Sequence, residues 1–306
     1  MESLVEKFKG CILGLACGDA LGGPLEFMSP QAIRSKYGRV VDMIGGGWLK
    51  LAPGEYTDDT QMTICIIDSI VDNDGVVSPE DVARRFLQWY KTKPKDVGSM
   101  TSLSISYLAD GTQWHEAGRL AWQVLQSAGN GGLMRSAPIG LLHYRNTHQL
   151  VLDSRRVCSI THYDPRCQES CAALNLAIAA LTQNRQFSLN MNAVKLSPEV
   201  DRAVNATAPP TKNSGFTLDT LTTAFWALRS FDDFEEALIS VINLGGDTDT
   251  SGAVTGALMG AKGGLSAIPK RWLNTLQNRD RLENLATQLY TLATKHTATV
   301  TSDKSR

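Results

Sequence analysis

Cysteine is scarce in this chain of 306 residues, with six in all, and none of Cys11, Cys17, Cys65, Cys158, Cys167 and Cys171 forms a CxxC pair. A disulfide-built scaffold is excluded and a thiolate zinc site is disfavoured, so the six read as reduced, small core residues. An excess of charge is missing too. Thirty Lys+Arg face 31 Asp+Glu, a formal net charge of −1, so no global basic field holds a nucleic acid or an anionic membrane, and an anionic ligand must be caught locally. No membrane-length apolar run occurs, and the mixed charges of Met1–Lys7 do not form a secretory leader, which makes the cytosol the expected compartment. Strand alternation is sparse, and no repeat of about 20–50 residues stands out.

What the chain does have is helix after helix. Ser3 followed by Glu6 has capping-box spacing before Leu4, Val5, Phe8, Ile12 and Leu15. Ser78-Pro79 and Asp164-Pro165 pair a cap with a proline at the first helical position, and Thr217 is placed to cap Leu218–Ser230. Further helical patterns cover His115–Ser127, Phe234–Ile242, Ser251–Lys262 and Leu282–Lys295. Val40–Ile44 is the best strand candidate, whereas Ile64–Val71 continues without a turn residue and reads as a buried helix. Gly252, Gly256 and Gly260 recur every fourth residue and form a small-residue ridge for close approach of another helix. The reading is an all-α fold, one domain over 1–296 with an irregular excursion at 188–214 and a frayed tail at 297–306. The six tryptophans lie mostly in helical patterns, where core packing is the better reading than stacking on a ligand.

Two acidic clusters stand apart. Thr57-Asp58-Asp59-Thr60 follows Pro53-Gly54 and opens an apolar helix, and Asp247-Thr248-Asp249-Thr250 follows Gly245-Gly246 and opens the glycine-ridged one. Aspartate caps helices and suits their first turns. Adjacent side chains cannot all address the same backbone donors, and a second carboxylate adds repulsion unless water or a cation sits there. The spacing therefore admits two readings, paired caps or an all-oxygen shell for hard divalent ions.

These residues resemble a known family. Gly18-Asp19-Ala20-Leu21-Gly22 with Glu26, Tyr56-Thr57-Asp58-Asp59-Thr60-Gln61-Met62, Asn130-Gly131-Gly132-Leu133-Met134-Arg135 and Gly245-Gly246-Asp247-Thr248-Asp249-Thr250 are similar, in order and spacing, to the signatures of the ADP-ribosylglycohydrolases. The match runs from about Phe8 to Trp272, and the stretch 188–214 matches nothing. The resemblance implies a compact multi-helix fold with a binuclear Mg²⁺ or Mn²⁺ centre, ligated by Thr57, Asp58 and Asp59 from one side and Asp247, Asp249 and Thr250 from the other. Glu26 then gates the site or handles a proton; otherwise it is an exposed loop carboxylate. Asp96, with Gly98 and Ser99, resembles a substrate loop facing the distal ribose; otherwise it is a turn after Lys93-Pro94-Lys95. Asn130, Gly131 and Gly132 are placed to offer backbone N–H groups to a diphosphate as a concave nest. His162 matches a position near the ligand phosphates, against a plain capping or surface role.

The implied reaction is hydrolysis at the ribose anomeric carbon, releasing ADP-ribose from a modified protein or small conjugate, with arginine the leading acceptor and a monomer expected. Asp59, Asp249 and Glu26 are the candidates for proton transfer. Two rivals stand beside it: a non-catalytic or structural protein that kept the fold, as family-related lens crystallins did, and a metal-dependent phosphoesterase. Filled ligand positions weigh against the first, and the absence of a His-Asp motif weighs against the second.

Overall fold

Helix starts are written into the sequence as side chains that accept from the first-turn backbone. Ser3, Ser29, Ser78, Asn146, Asp164, Ser197 and Asp233 all do so. The computed structural model describes residues 2–185 and 196–302, the side chains of 296–302 excepted. Fifteen α-helices follow among them: α1 (Leu4–Gly22), α2 (Pro30–Tyr37), α3 (Asp58–Asp72), α4 (Pro79–Lys91), α5 (Ser99–Ala109), α6 (Trp114–Leu125), α7 (Ala137–Leu142), α8 (Thr147–Ser159), α9 (Pro165–Thr182), α10 (Pro198–Val204), α11 (Thr217–Ser230), α12 (Phe234–Ile242), α13 (Thr248–Gly263), α14 (Lys270–Thr275) and α15 (Arg279–Ser302).

The centre is a pair of helices apolar on nearly every face, α1 and α13, buried from Gly10 to Gly22 and from Thr248 to Ala261. They run antiparallel with their backbones in contact. A methyl group added at Gly14 would lie 2.4 Å from the Gly256 carbonyl oxygen, and one at Gly256 would lie 2.0 Å from that of Gly14. The same reciprocal contact links Gly18 to Gly252 and Gly10 to Gly260. At the end of the ladder Thr248 Oγ1 donates to the Gly22 carbonyl at 2.8 Å. The glycine ridge thus has the partner that its spacing called for, a second glycine series on α1. Helices α9, α11 and α12 pack on α13, and α15 packs on α1, α3 and α7. No single helix among the described residues is long and apolar enough to cross a membrane.

Four local readings need correction. Val40–Ile44 is no strand but an extended loop, held by Asn243, whose side chain accepts from the Val40 N–H at 3.0 Å and donates to its carbonyl at 2.9 Å. Thr217 is not a cap: the helix starts on it, and its hydroxyl lies buried. Part of the 188–214 excursion is α10, started by Ser197-Pro198, while residues 188–195 lie outside the described residues. Beyond Lys295, where the tail was expected, the backbone is assigned to α15 as far as Ser302, and 303–306 lie outside the described residues. All six cysteines are free.

The ladder makes a direct prediction. Gly256→Ala forces a methyl group into the Gly14 carbonyl, and overpacking of this kind costs about 1–3 kcal/mol. Its urea unfolding midpoint is expected to drop accordingly, and an unchanged midpoint would mean that α1 and α13 have room to part.

Candidate active site

Because α1 and α13 are antiparallel, the ladder brings the C-terminal end of α1 to the N-terminal end of α13. Asp19 on α1 is fully buried and works outward from there. It accepts from the backbone N–H of Thr57 at 2.9 Å and of Thr60 at 3.0 Å, and from their hydroxyls at 2.9 and 2.6 Å. The first turn of α3 is therefore capped from another helix. Its own N-cap, Thr57, makes no capping bond, and neither does Asp247 at the start of α13. With that work done elsewhere, the carboxylates of Asp58, Asp59 and Asp247 are left to face the space between the two helix ends. Of the four cluster carboxylates, that of Asp249 takes a first-turn N–H, that of Thr250 at 2.9 Å.

The α13 side is held by residues that the motifs did not single out. Asn213 accepts from the Asp247 N–H through its backbone carbonyl at 2.9 Å, and its side-chain amide donates to the carbonyls of Gly245 and Asp247 at 2.8 and 3.2 Å. Ser251 donates to its Oδ1. The Asp247 carboxylate accepts from Asn130 Nδ2 at 2.9 Å, and the Asn130 N–H goes to the Gly215 carbonyl at 3.0 Å.

Between these elements lies a cleft of about 410 Å³ whose lining includes Glu26, Asp58, Asp59, Asp96, Asp247 and Asp249, with Thr250 beside them. Carboxylate oxygens of Glu26, Asp96 and Asp249 lie within 4.8 Å of one another. No lysine or arginine is among the described residues that line it. Burial pushes the carboxyls of Asp58, Asp59 and Asp249 well up, and neighbouring carboxylates add to the rise. Burial likewise lifts Glu26 to about 8, with Asp96, Asp247 and Asp58 adding to it and the Trp48 indole N–H, 2.8 Å from Glu26 Oε2, opposing it. Asp59 Oδ1 and Asp247 Oδ1 are buried without a hydrogen-bond partner. Such a donor set, hard oxygens with orphaned lone pairs and no compensating base, fits divalent cations. Thr57 sits just behind the wall, its hydroxyl on Asp19 and 3.4 Å from Asp59 Oδ2.

The lining also includes Gly98, Ser99, Asn130, Gly131 and His162. Neither Gly131 nor Gly132 has a positive φ, so the expected nest is not formed. Glycine is required there for room instead: a methyl group at Gly131 would lie 2.8 Å from His162 Cε1, and one at Gly132, behind the wall, 2.6 Å from Cys158 Sγ. Fully buried Arg135 donates to the Gly131 carbonyl at 2.7 Å and to Thr161 Oγ1 at 2.6 Å, with its guanidinium over the Phe86 ring at 4.6 Å. Thr161 Oγ1 is 2.8 Å from His162 Nδ1. With Arg135 donating to Thr161 Oγ1, a threonine proton placed on Nδ1 would leave the ring proton on Nε2. Burial and the nearby Arg135 lower the His162 imidazolium to about 3, so the ring is a neutral donor.

Sequence reasoning missed Asp19, Asn213, Arg135, Phe27 and Trp48 as parts of this site. An aspartate amid the glycines and alanines of a buried helix was a readable signal. Asn213 had none, because its contacts depend on tertiary placement. Trp48 does not pack in the core but stands 53% exposed on a loop beside the cleft, and Glu26 is no exposed loop carboxylate, at 9%.

A carboxyl whose pKa is raised by folding holds its proton more tightly in the folded chain, so stability is lost as pH climbs from the ordinary carboxylate value to the raised one. Asp19 at about 6 and Glu26 at about 8 set the window. The melting temperature of metal-free protein is expected to fall between about pH 4 and about pH 8, with Mg²⁺ or Mn²⁺ restoring it at the upper end. A flat profile in chelator would contradict the raised values.

Comparison with known proteins agrees with this geometry. The family model described as ADP-ribosylglycohydrolase matches residues 1–299. ADP-ribosylarginine hydrolase Tri1 of Serratia proteamaculans is 32% identical, over 95% of this chain and 81% of its own length. ADP-ribosyl-[dinitrogen reductase] glycohydrolase of Rhodospirillum rubrum is 33% identical, over 90% and 91%. A solved structure titled ADP-ribosylglycohydrolase-related protein complex superposes with a TM-score of 0.81 at 33% identity, covering 96% of this chain and 100% of the other. A family match along nearly the whole chain, on an all-helical fold that gathers the expected carboxylates into one cleft, establishes that the chain belongs to the ADP-ribosylglycohydrolase family.

Proposed function

We propose that the cleft hydrolyses the bond between arginine and the anomeric carbon of ADP-ribose, in modified proteins or small conjugates, with the help of divalent cations. The chain is an ADP-ribosylhydrolase by its family; the relative named ADP-ribosylarginine hydrolase supports the arginine acceptor, and the one named for dinitrogen reductase supports a modified protein as substrate. The observation that carries the metal reading is a lining of six carboxylates with no lysine or arginine among the described residues. Near-neutral overall charge suits a cytosolic monomer that meets nucleic acid only as an ADP-ribosylated substrate.

Two Mg²⁺ or Mn²⁺ ions, held by Thr57, Asp58 and Asp59 from α3 and by Asp247, Asp249 and Thr250 from α13, would supply Lewis-acid binding of the ribose hydroxyls and lower the pKa of water. The remaining work belongs to side chains. In hydrolysis water adds its hydroxyl to the anomeric carbon, the carbon–nitrogen bond breaks, and the departing nitrogen takes one proton. Glu26, lifted toward neutrality, carries that proton, with the Trp48 N–H fixing the orientation of its carboxyl. One of Asp59 and Asp249, which line the cleft from α3 and α13, takes the single proton that the water gives up. Asp96 holds the distal ribose through a hydroxyl, with Gly98 and Ser99 shaping the loop. Gly131 and Gly132 leave room for His162, whose Nε2–H is directed to a phosphate oxygen, and Asn130 fixes Asp247.

Chelation is expected to abolish release of ADP-ribose from an arginine-linked substrate and Mg²⁺ or Mn²⁺ to restore it, while full activity after exhaustive chelation would refute the metal reading. Asp59→Asn and Asp249→Asn should each lower turnover by at least about a hundredfold with no loss of metal-free thermal stability, because each removes repulsion. Variants that unfold more easily yet keep their specific activity would return these carboxylates to a structural role. Glu26→Gln separates chemistry from binding: single-turnover rate should fall while ADP-ribose affinity by calorimetry stays within about threefold. A wild-type rate would remove Glu26 from proton transfer.

A further inference from the structure

Among the described residues, Phe27 and Trp48 are the exposed large aromatics, 70% and 53% accessible, and both border the cleft. Leaving two such faces in water forfeits the burial that aromatic side chains ordinarily gain. The backbone is arranged to keep them there. Phe27 has a φ of 62°, a strained value for a residue with a Cβ, and is held by the hydrogen bond from its N–H to the Gly246 carbonyl at 2.8 Å, with the Gly246 N–H returning to the Met28 carbonyl at 2.8 Å. Trp48 follows Gly45, Gly46 and Gly47, all with positive φ, in a loop closed by paired bonds between Gly46 and Leu51 at 2.7 and 2.8 Å. The rings lie 5.7 Å apart and tilted by 34°, with the Trp48 N–H anchored on Glu26. Directly inside are the clustered carboxylates of Glu26, Asp96 and Asp249.

We propose that Phe27 and Trp48 form the acceptor-side clamp, a pair of fixed aromatic faces that recognises the planar guanidinium of an arginine-linked substrate and discriminates against neutral, serine-linked ones. This rests on the arginine reading above and names the residues that enforce it. A guanidinium stacks on an aromatic face and gains from the ring's quadrupole. It also gains from the negative potential of the carboxylates beneath, whereas an alkyl hydroxyl acceptor gains neither. The pair adjoins Glu26, the residue given the leaving-group proton, so the clamp holds the departing nitrogen where that proton is delivered. The ribose and diphosphate contacts come from other elements, which separates acceptor selection from ADP-ribose binding.

The test uses Mg²⁺-loaded enzyme with ADP-ribosylagmatine and ADP-ribosylserine. For Phe27→Leu and Trp48→Leu, KM for the agmatine conjugate is expected to rise about tenfold, while ADP-ribose affinity by calorimetry stays within about twofold and certifies the fold. Phe27→Tyr keeps the aromatic face and leaves the Trp48–Glu26 bond in place, and its KM should stay near wild type. In the unmodified enzyme, free agmatine should inhibit more strongly than an uncharged alkylamide of equal length, a comparison that needs no variant. An unchanged KM in both leucine variants, an equal rise for both conjugates, or equal inhibition by the two small molecules overturns the clamp and leaves the activity standing. Wild-type enzyme that releases ADP-ribose only from the serine conjugate overturns the arginine reading and the clamp with it.

Discussion

Everything at the cleft depends on two helix backbones touching. A glycine in each turn of α1 meets a glycine in each turn of α13, at separations that leave no volume for a methyl group. The contact fixes register as well as distance, because sliding either helix would carry bulkier residues into the seam. In this register Gly22 abuts Thr248, so the chain leaving α1 passes the mouth of α13 and Glu26 arrives beside Asp249. Asp19, less than one turn before Gly22, faces the other way and gathers the first turn of α3. A packing rule among glycines thus sets the positions of carboxylates that are far apart in sequence.

The electrostatic logic follows from that geometry. Helix N-termini carry partial positive charge, and α3 and α13 direct two of them at the cleft, yet six carboxylates exceed what two helix ends can balance. Arg135 does not make up the difference: it is wholly buried behind the wall, committed to Gly131, Thr161 and the Phe86 ring. Its task is to hold the glycine loop and Thr161 beside His162, and burial together with the Arg135 charge keeps that imidazole neutral. The site is left short of positive charge by construction. The same shortage makes a cationic acceptor the natural partner for the exposed aromatic rim.

How much of this was legible in the sequence depended on whether a residue's role is local. Caps such as Ser78 and Asp164 act within three residues and were readable from order alone, as was the four-residue glycine period of α13. The acidic clusters and Asn130-Gly131-Gly132 were recognisable through their motifs, and the structure brings Asp58, Asp59, Asn130, Gly131, Asp247, Asp249 and Thr250 to one cleft, with Thr57 and Gly132 behind its wall. Local patterns failed where a distant group intervened. Val40–Ile44 has strand composition but spends its backbone polar groups on Asn243, some two hundred positions away. Thr217 looks like a cap, but the turn before it is already paired to the segment leading into Asn130. Asn213 sits at the end of a stretch without recognisable motif and organises Asp247 by contacts that exist only after folding. Trp48 resembles any core tryptophan until its glycine loop turns it toward solvent.

The central claim is that the ends of α3 and α13 are brought together to hold divalent cations against ADP-ribose. Anomalous diffraction at the manganese edge from crystals grown with Mn²⁺ and ADP-ribose tests it most directly. The account predicts two peaks between the carboxylates of Asp58 and Asp59 and those of Asp247 and Asp249, with the ribose hydroxyls of the bound ligand turned toward them. A cleft that binds ADP-ribose with no manganese peak between these carboxylates would contradict it.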